Sequence, residues 1–242
     1  GPAVVVVDDG HRIPADSVTE VADLLRDPVP GVAVVLGGRA GQMAQAVRAC
    51  ARGQAHQMPA WELTEVRAAY PSLGRNRAER LLEAAEGRPA FVMALAGMRL
   101  LELLELHRLP IDALSERLDL TGFRGWAAET FADEGTRLVA AAAAVLGDTV
   151  DVDAVAEIAE LPRAGLAHAA LVTLVDEGIL GVREGRISFV HPVLKAVCYA
   201  QVDLATRRTL HLRALERARD PRWPGLVPLA SHLCVAATAG DP

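Results

Sequence analysis

The residues with the clearest chemical potential lie in small groups spread along 242 positions. Asp8 and Asp9 follow an apolar, β-branched run, Ala3 to Val7. A buried parallel strand delivers carboxylates at its C-terminal end, where ligands bind in open α/β sheets. In that setting one carboxylate holds Mg²⁺ and the next orients the attacking water. Any buried strand ending in Asp-Asp at a turn has the same form. Arg39 stands after a second apolar run, Val32 to Leu36, at the same sheet edge. Its guanidinium could sense a γ-phosphate or sit in a loop as a solvated arginine. Gly87-Arg88-Pro89 is a helix break, and in a binding site Pro89 would pack on an adenine ring. His191 lies between a strand and a helix start, where free N–H groups favour phosphate. The other reading of His191 is a capping or core histidine. Arg207, Arg208, Arg213, Arg217, Arg219 and Arg222 form a basic run that could meet a phosphate backbone or serve as a solvated helix face.

Other chemistries lack their signatures. There is no GxxxxGK[ST] phosphate loop, no GxSxG and no zinc spacing in the sequence. His107, His168, His211 and His232 fall singly on expected helices and suggest no metal site. Carboxylates without a cradle of backbone N–H groups hold a triphosphate poorly.

The elements that must position these residues follow from periodicity. Ala3–Val7 and Val32–Leu36 read as parallel strands apolar on both faces, joined by a helix opening at Asp16-Ser17. That helix carries Val18, Val21, Leu24 and Leu25 on one face. Helices are expected at 41–51, 62–70, 75–86 and 89–107, with Pro89 in the first position of the last. Further helical patterns cover 123–146, 151–160 and 162–177. Leu180 and Val182 then face Ile187 and Phe189 across Glu184-Gly185, a short hairpin. A helix from His191 to about Tyr199 follows, then helices over 204–220 and 226–239. Three helices and a hairpin in this order make a winged helix.

Composition agrees with a helix-rich fold. Hydrophobic residues are 51% of the chain, much of it alanine, and aromatics only 4%. The longest apolar stretch, Leu138 to Leu146, is about two helical turns against roughly 20 residues for a membrane span. No signal peptide pattern is present, which predicts a cytoplasmic protein. A net charge of −6 argues against a broad nucleic-acid surface. Cys50, Cys198 and Cys234 are widely spaced and predict reduced, core-filling thiols. The start at Gly1-Pro2, without Met, hints at an internal cut.

In order, the segments AVVVVDDGHR, VAVVLGGRAG, LLEAAEGRPAFVMALAG, LVDEGILGVREGRISFVHPVLKAVCYA and RRTLHLRALERA resemble the signal-transduction NTPases with numerous domains. They are most similar to the large ATP-binding transcriptional regulators of the LuxR type. The resemblance covers nearly the whole chain and rests on motif order. It implies that Asp8 is the Mg²⁺ carboxylate and Asp9 the catalytic one. It implies a sensor-type role for Arg39, an adenine-contacting turn at Gly87 and Pro89, and a β-phosphate contact at His191. Departures from the family pattern are the missing phosphate loop, Arg12 in place of an aromatic, and Arg88 where Asn is common.

The resulting expectation is a mainly α (α+β) chain: a partial P-loop α/β core at 1–53, a helical lid at 54–110, a winged helix at 111–202, and a helical extension at 203–242 leading to a tetratricopeptide-like array. Its function would be that of a nucleotide-dependent regulatory switch, with ATP/ADP and Mg²⁺ as cofactors of the larger protein and weak or no binding by this chain alone. Expected partners are other domains or protomers of the same regulator and an effector whose identity stays open. DNA would be met only through a further C-terminal domain, and no membrane is expected. Whether the larger protein hydrolyses ATP stays open. Two other classes remain, a winged-helix DNA-binding protein with 162–177 as recognition helix, and a protein-interaction module.

Overall fold

The computed structural model describes residues 2–7, 10, 13–14, 16–27, 29–38, 59–161 and 164–218. The chain is mainly helical with small sheets, an α+β fold. It divides into two compact units, Gly1–Pro59 and Ala60–Pro242.

In the first unit, β1 (Ala3–Val7) and β2 (Val32–Leu36) pair in parallel, with Ala3 opposite Val32 and Val7 opposite Leu36. Between them α1 (Val18–Arg26) buries Ala22 and half-buries Val18, Val21, Leu24 and Leu25, the stripe its periodicity predicts. The strands themselves are not buried as expected: Val4 and Val6 are 66% and 68% exposed. Parallel strands are normally covered by helices on both faces, and one crossover helix cannot cover both. Asp8, Asp9, Arg39 and the helix expected at 41–51 lie outside the described residues.

The second unit opens with α2 (Leu63–Ala69), α3 (Arg75–Ala84) and α4 (Pro89–Leu95). The single helix expected over 89–107 is broken into α4, α5 (Leu100–Leu104) and a 3-10 turn at Leu106–Arg108. The break has a visible cause. Arg77 Nη2 donates to Ala96 O at 3.0 Å and Met98 O at 2.6 Å, so those carbonyls need no helical partner. Glu102 then restarts the helix by accepting from the Arg99 N–H at 2.8 Å. Sequence periodicity missed α6 (Ile111–Arg117), which follows Pro110 directly.

A 3-10 turn at Thr121–Phe123 leads to α7 (Arg124–Thr130) and α8 (Glu134–Leu146). The expected 123–146 helix is split there because Asp133 caps α8, accepting from the Thr136 N–H at 2.6 Å. Next come β3 (Thr149–Val150), α9 (Val152–Ile158), α10 (Ala164–Asp176), β4 (Leu180–Arg183) and β5 (Arg186–Phe189). The sheet order is β3-β5-β4, all antiparallel. Glu184 and Gly185 at the hairpin tip have φ of 52° and 74°, the left-handed pair that a tight hairpin needs. The order from α6 onward is thus helices, a short strand, two helices and a hairpin. α11 (Pro192–Tyr199) and α12 (Leu204–Ala218) close the described part.

One buried cluster runs from Val66 to Ala214, so the helices before α6, the elements from α6 to α11 and α12 share a single core. Its centre is α8, whose Ala140 to Ala144 are fully buried. Side chains this small let α10 and α11 approach α8 closely. No described helix is long and apolar enough to cross a membrane.

Candidate functional site

The end of α3 is the first component. Gly87 N–H donates to Leu82 O and Glu86 N–H to Glu83 O, both at 3.1 Å, which closes the helix in a Schellman turn. Glu86 and Gly87 both have positive φ, 51° and 69°. Gly87 is required twice over at this turn. A Cβ there would stand 2.8 Å from the Ala60 Cβ, besides forcing a left-handed side chain. Its carbonyl accepts from the Trp61 N–H at 2.7 Å. Pro89 follows as the first residue of α4, as its fixed φ predicts.

His191 is the second component, 107 positions beyond Ala84 in sequence. It is 3% exposed and stands as N-cap of α11. Its Nδ1 accepts from the Val193 N–H at 3.1 Å. That fixes the ring as the Nε2–H tautomer, and Nε2 donates to Ala84 O at 2.8 Å. One neutral imidazole thus satisfies an open carbonyl at the end of α3 and an open N–H at the start of α11. Burial holds its pKa below the ordinary value, against smaller upward pulls from the Ala84 carbonyl and Glu86.

Aromatic packing joins the two components. The His191 ring stacks on Phe91 with centroids 4.1 Å apart and planes at 22°. Phe91 stacks in turn on Phe123 at 6.2 Å. The Arg88 guanidinium lies 5.2 Å from the Phe91 centroid and 3.5 Å from Glu86. Beside the cluster is a cavity of about 210 Å³, with Arg80, Glu83, Glu86, His107 and His191 on its walls. It is smaller than the roughly 300–1,000 Å³ of usual ligand sites.

Of the residues singled out by sequence, Gly87, Pro89 and His191 come together in one place. Asp8, Asp9 and Arg39, the expected carboxylates and sensor, lie outside the described residues. Among the described residues no group of His, Cys, Asp or Glu is arranged to hold a metal ion. Phe91 and Ala84 were not legible as site residues, since an apolar helix position and a backbone carbonyl carry no sequence signal.

The basic run on α12 turns inward. Arg213 donates to Ile158 O at 3.0 Å and pairs with Glu160 at 2.5 Å, and Arg217 pairs with Glu157. Arg207 donates to Val202 O at 3.0 Å and lies 4.7 Å over the Tyr199 ring. His211 is 1% exposed and bonds the Tyr199 hydroxyl at 3.0 Å. These groups dock α12 on α9 and α11. Arg219, Arg222 and His232 lie outside the described residues. On α10, the described exposed positions are Gly165, Leu166, His168, Ala169, Val172, Thr173 and Asp176, with no lysine or arginine among them.

No protein-family model, no curated protein and no solved structure matches this sequence.

Proposed function

We propose that this chain is part of a nucleotide-dependent regulatory switch, of the kind its motif order resembles. The observation that supports it is the meeting of the Gly87–Pro89 turn with His191 through the Ala84 O to Nε2 bond of 2.8 Å. The turn and the histidine lie far apart in sequence, and the same resemblance assigns them adenine and phosphate contact.

The chemistry of the switch follows from the tautomer. Nε2–H is a single donor, and Ala84 O occupies it here. A phosphate oxygen is a stronger, charged acceptor for the same proton. Taking it would release the α3 end from the α11 start without any change in protonation. Nucleotide would thereby choose between two arrangements of one hydrogen bond, and its differential affinity sets the population. In the larger protein, Asp8 would hold Mg²⁺ and Asp9 and Arg39 would attend the terminal phosphate. Those roles rest on resemblance alone.

The competing DNA-binding reading is disfavoured by α10. A recognition helix gains most of its affinity from cationic contact with phosphates, and the described exposed positions of α10 carry no lysine or arginine and end in Asp176. Calorimetric titration with Mg-ADP tests the proposal. His191→Asn should weaken ADP binding by roughly tenfold, the worth of one charge-assisted bond. Equal affinity in both proteins would sink it.

A further inference from the structure

A second cavity, of about 500 Å³, opens between α6, the Thr121–Phe123 turn, α7 and the C-terminal end of α11. Its volume falls within the roughly 300–1,000 Å³ of small-ligand sites. The floor is apolar, made by the buried Leu118, Phe123, Ala127 and Val197. The polar lining includes Asp119, Arg124 and Gln201.

The bonding at that mouth is incomplete in a particular way. Asp119 Oδ1 accepts from the Thr121 N–H at 3.0 Å and from the Thr121 hydroxyl, while Oδ2 has no donor among the described residues. These bonds hold the Asp119 carboxyl below its usual range, so it is ionised at neutral pH. Gln201 uses its Nε2 on Val197 O at 2.7 Å, which leaves the amide oxygen available. Arg124 makes no hydrogen bond or ion pair among the described residues, and its charge acts at longer range on Asp119, helping to hold that carboxyl low. An anion acceptor, a neutral acceptor and a cation therefore surround an apolar floor.

We infer that this cavity binds a small zwitterion of the amino-acid class with an apolar side chain. Its ammonium would meet Asp119 and the Gln201 oxygen, its carboxylate would meet Arg124, and its side chain would rest on Leu118, Phe123 and Val197. A ligand with a single charge satisfies only half of this mouth. The site meets the Gly87–His191 cluster only at Phe123, which stacks on Phe91, and none of its polar residues belongs to that cluster; its failure therefore leaves the nucleotide reading standing, and the converse holds.

The test is calorimetry of the chain with L-leucine, L-methionine and L-phenylalanine, each to about 10 mM, which reaches the weak affinities expected of small ligands. Two analogues of leucine serve as controls, 4-methylpentanoate without the ammonium and isoamylamine without the carboxylate. At least one amino acid should bind. If it is leucine, each analogue should bind roughly tenfold or more weakly, because each loses one charge-assisted contact. Arg124→Gln and Asp119→Asn, both at exposed positions, should weaken the bound amino acid to a similar degree. Absence of heat with all three amino acids would overturn the proposal. So would unchanged affinity in an analogue or in Arg124→Gln.

Discussion

Replacing His191 by alanine removes three interactions made by one ring. The N-cap bond from Val193 N–H, at 3.1 Å, is worth about 1 kcal/mol. The bond from Nε2 to the part-buried Ala84 O, at 2.8 Å, contributes about 1 kcal/mol more. Loss of the ring stacked 4.1 Å from Phe91 adds about 1 kcal/mol. The expected cost of His191→Ala is therefore about 3 kcal/mol, a large share of the total stability of a domain. His191→Asn separates the terms. Its short side chain can still cap α11 but cannot reach Ala84 O, so it should cost about 2 kcal/mol. Urea unfolding followed by circular dichroism and tryptophan fluorescence measures both. A cost below about 1 kcal/mol for His191→Ala would refute the bridging role. Equal costs for the two variants would refute the capping role.

Three further outcomes follow from the same geometry. Burial depresses the His191 pKa, so the unfolded chain takes up this proton first as pH falls; its contribution is complete above about pH 6.5 and is lost as pH drops through the lower folded value, and His191→Asn should flatten that part of a pH–stability curve. Gly87→Ala forces a side chain into φ of +69° and against Ala60, and should cost about 2 kcal/mol or more by urea unfolding, where a neutral result would contradict the turn geometry. Cys198 is fully buried and its thiol pKa is pushed well up by burial, so in a Cys50→Ser, Cys234→Ser background a thiol reagent should label it only at the rate of global unfolding; fast labelling of the folded chain would contradict its place in the core.

Much of the second unit was legible because its signals are local. Pro89 at a helix start and Glu184-Gly185 at a hairpin tip each follow from a local backbone preference. The misreadings share a different cause. The 89–107 pattern looked like one helix because the Arg77 side chain that diverts two carbonyls lies about 20 positions away. Likewise β1 and β2 read as buried because valine runs usually are, yet burial depends on what covers a strand and not on the strand. His191 shows both limits at once. Its position between strand and helix marked it as a residue with a role, and capping was one of the two roles considered. Its second bond, to Ala84, joins two helix ends far apart in sequence, and no local pattern encodes that.

In the proposed switch, phosphate competes with Ala84 O for the His191 Nε2 proton. The direct measurement is a titration of isotopically labelled chain with Mg-ADP, with adenosine in parallel, followed by amide and imidazole NMR shifts. ADP, even with a dissociation constant in the millimolar range, should shift the His191 ring signals and the amides of Gly87, Arg88 and Val193 ahead of all others. Adenosine, lacking phosphate, should leave the His191 ring signals in place. An unmoved His191 at about 10 mM ADP, or equal shifts from adenosine, would contradict it.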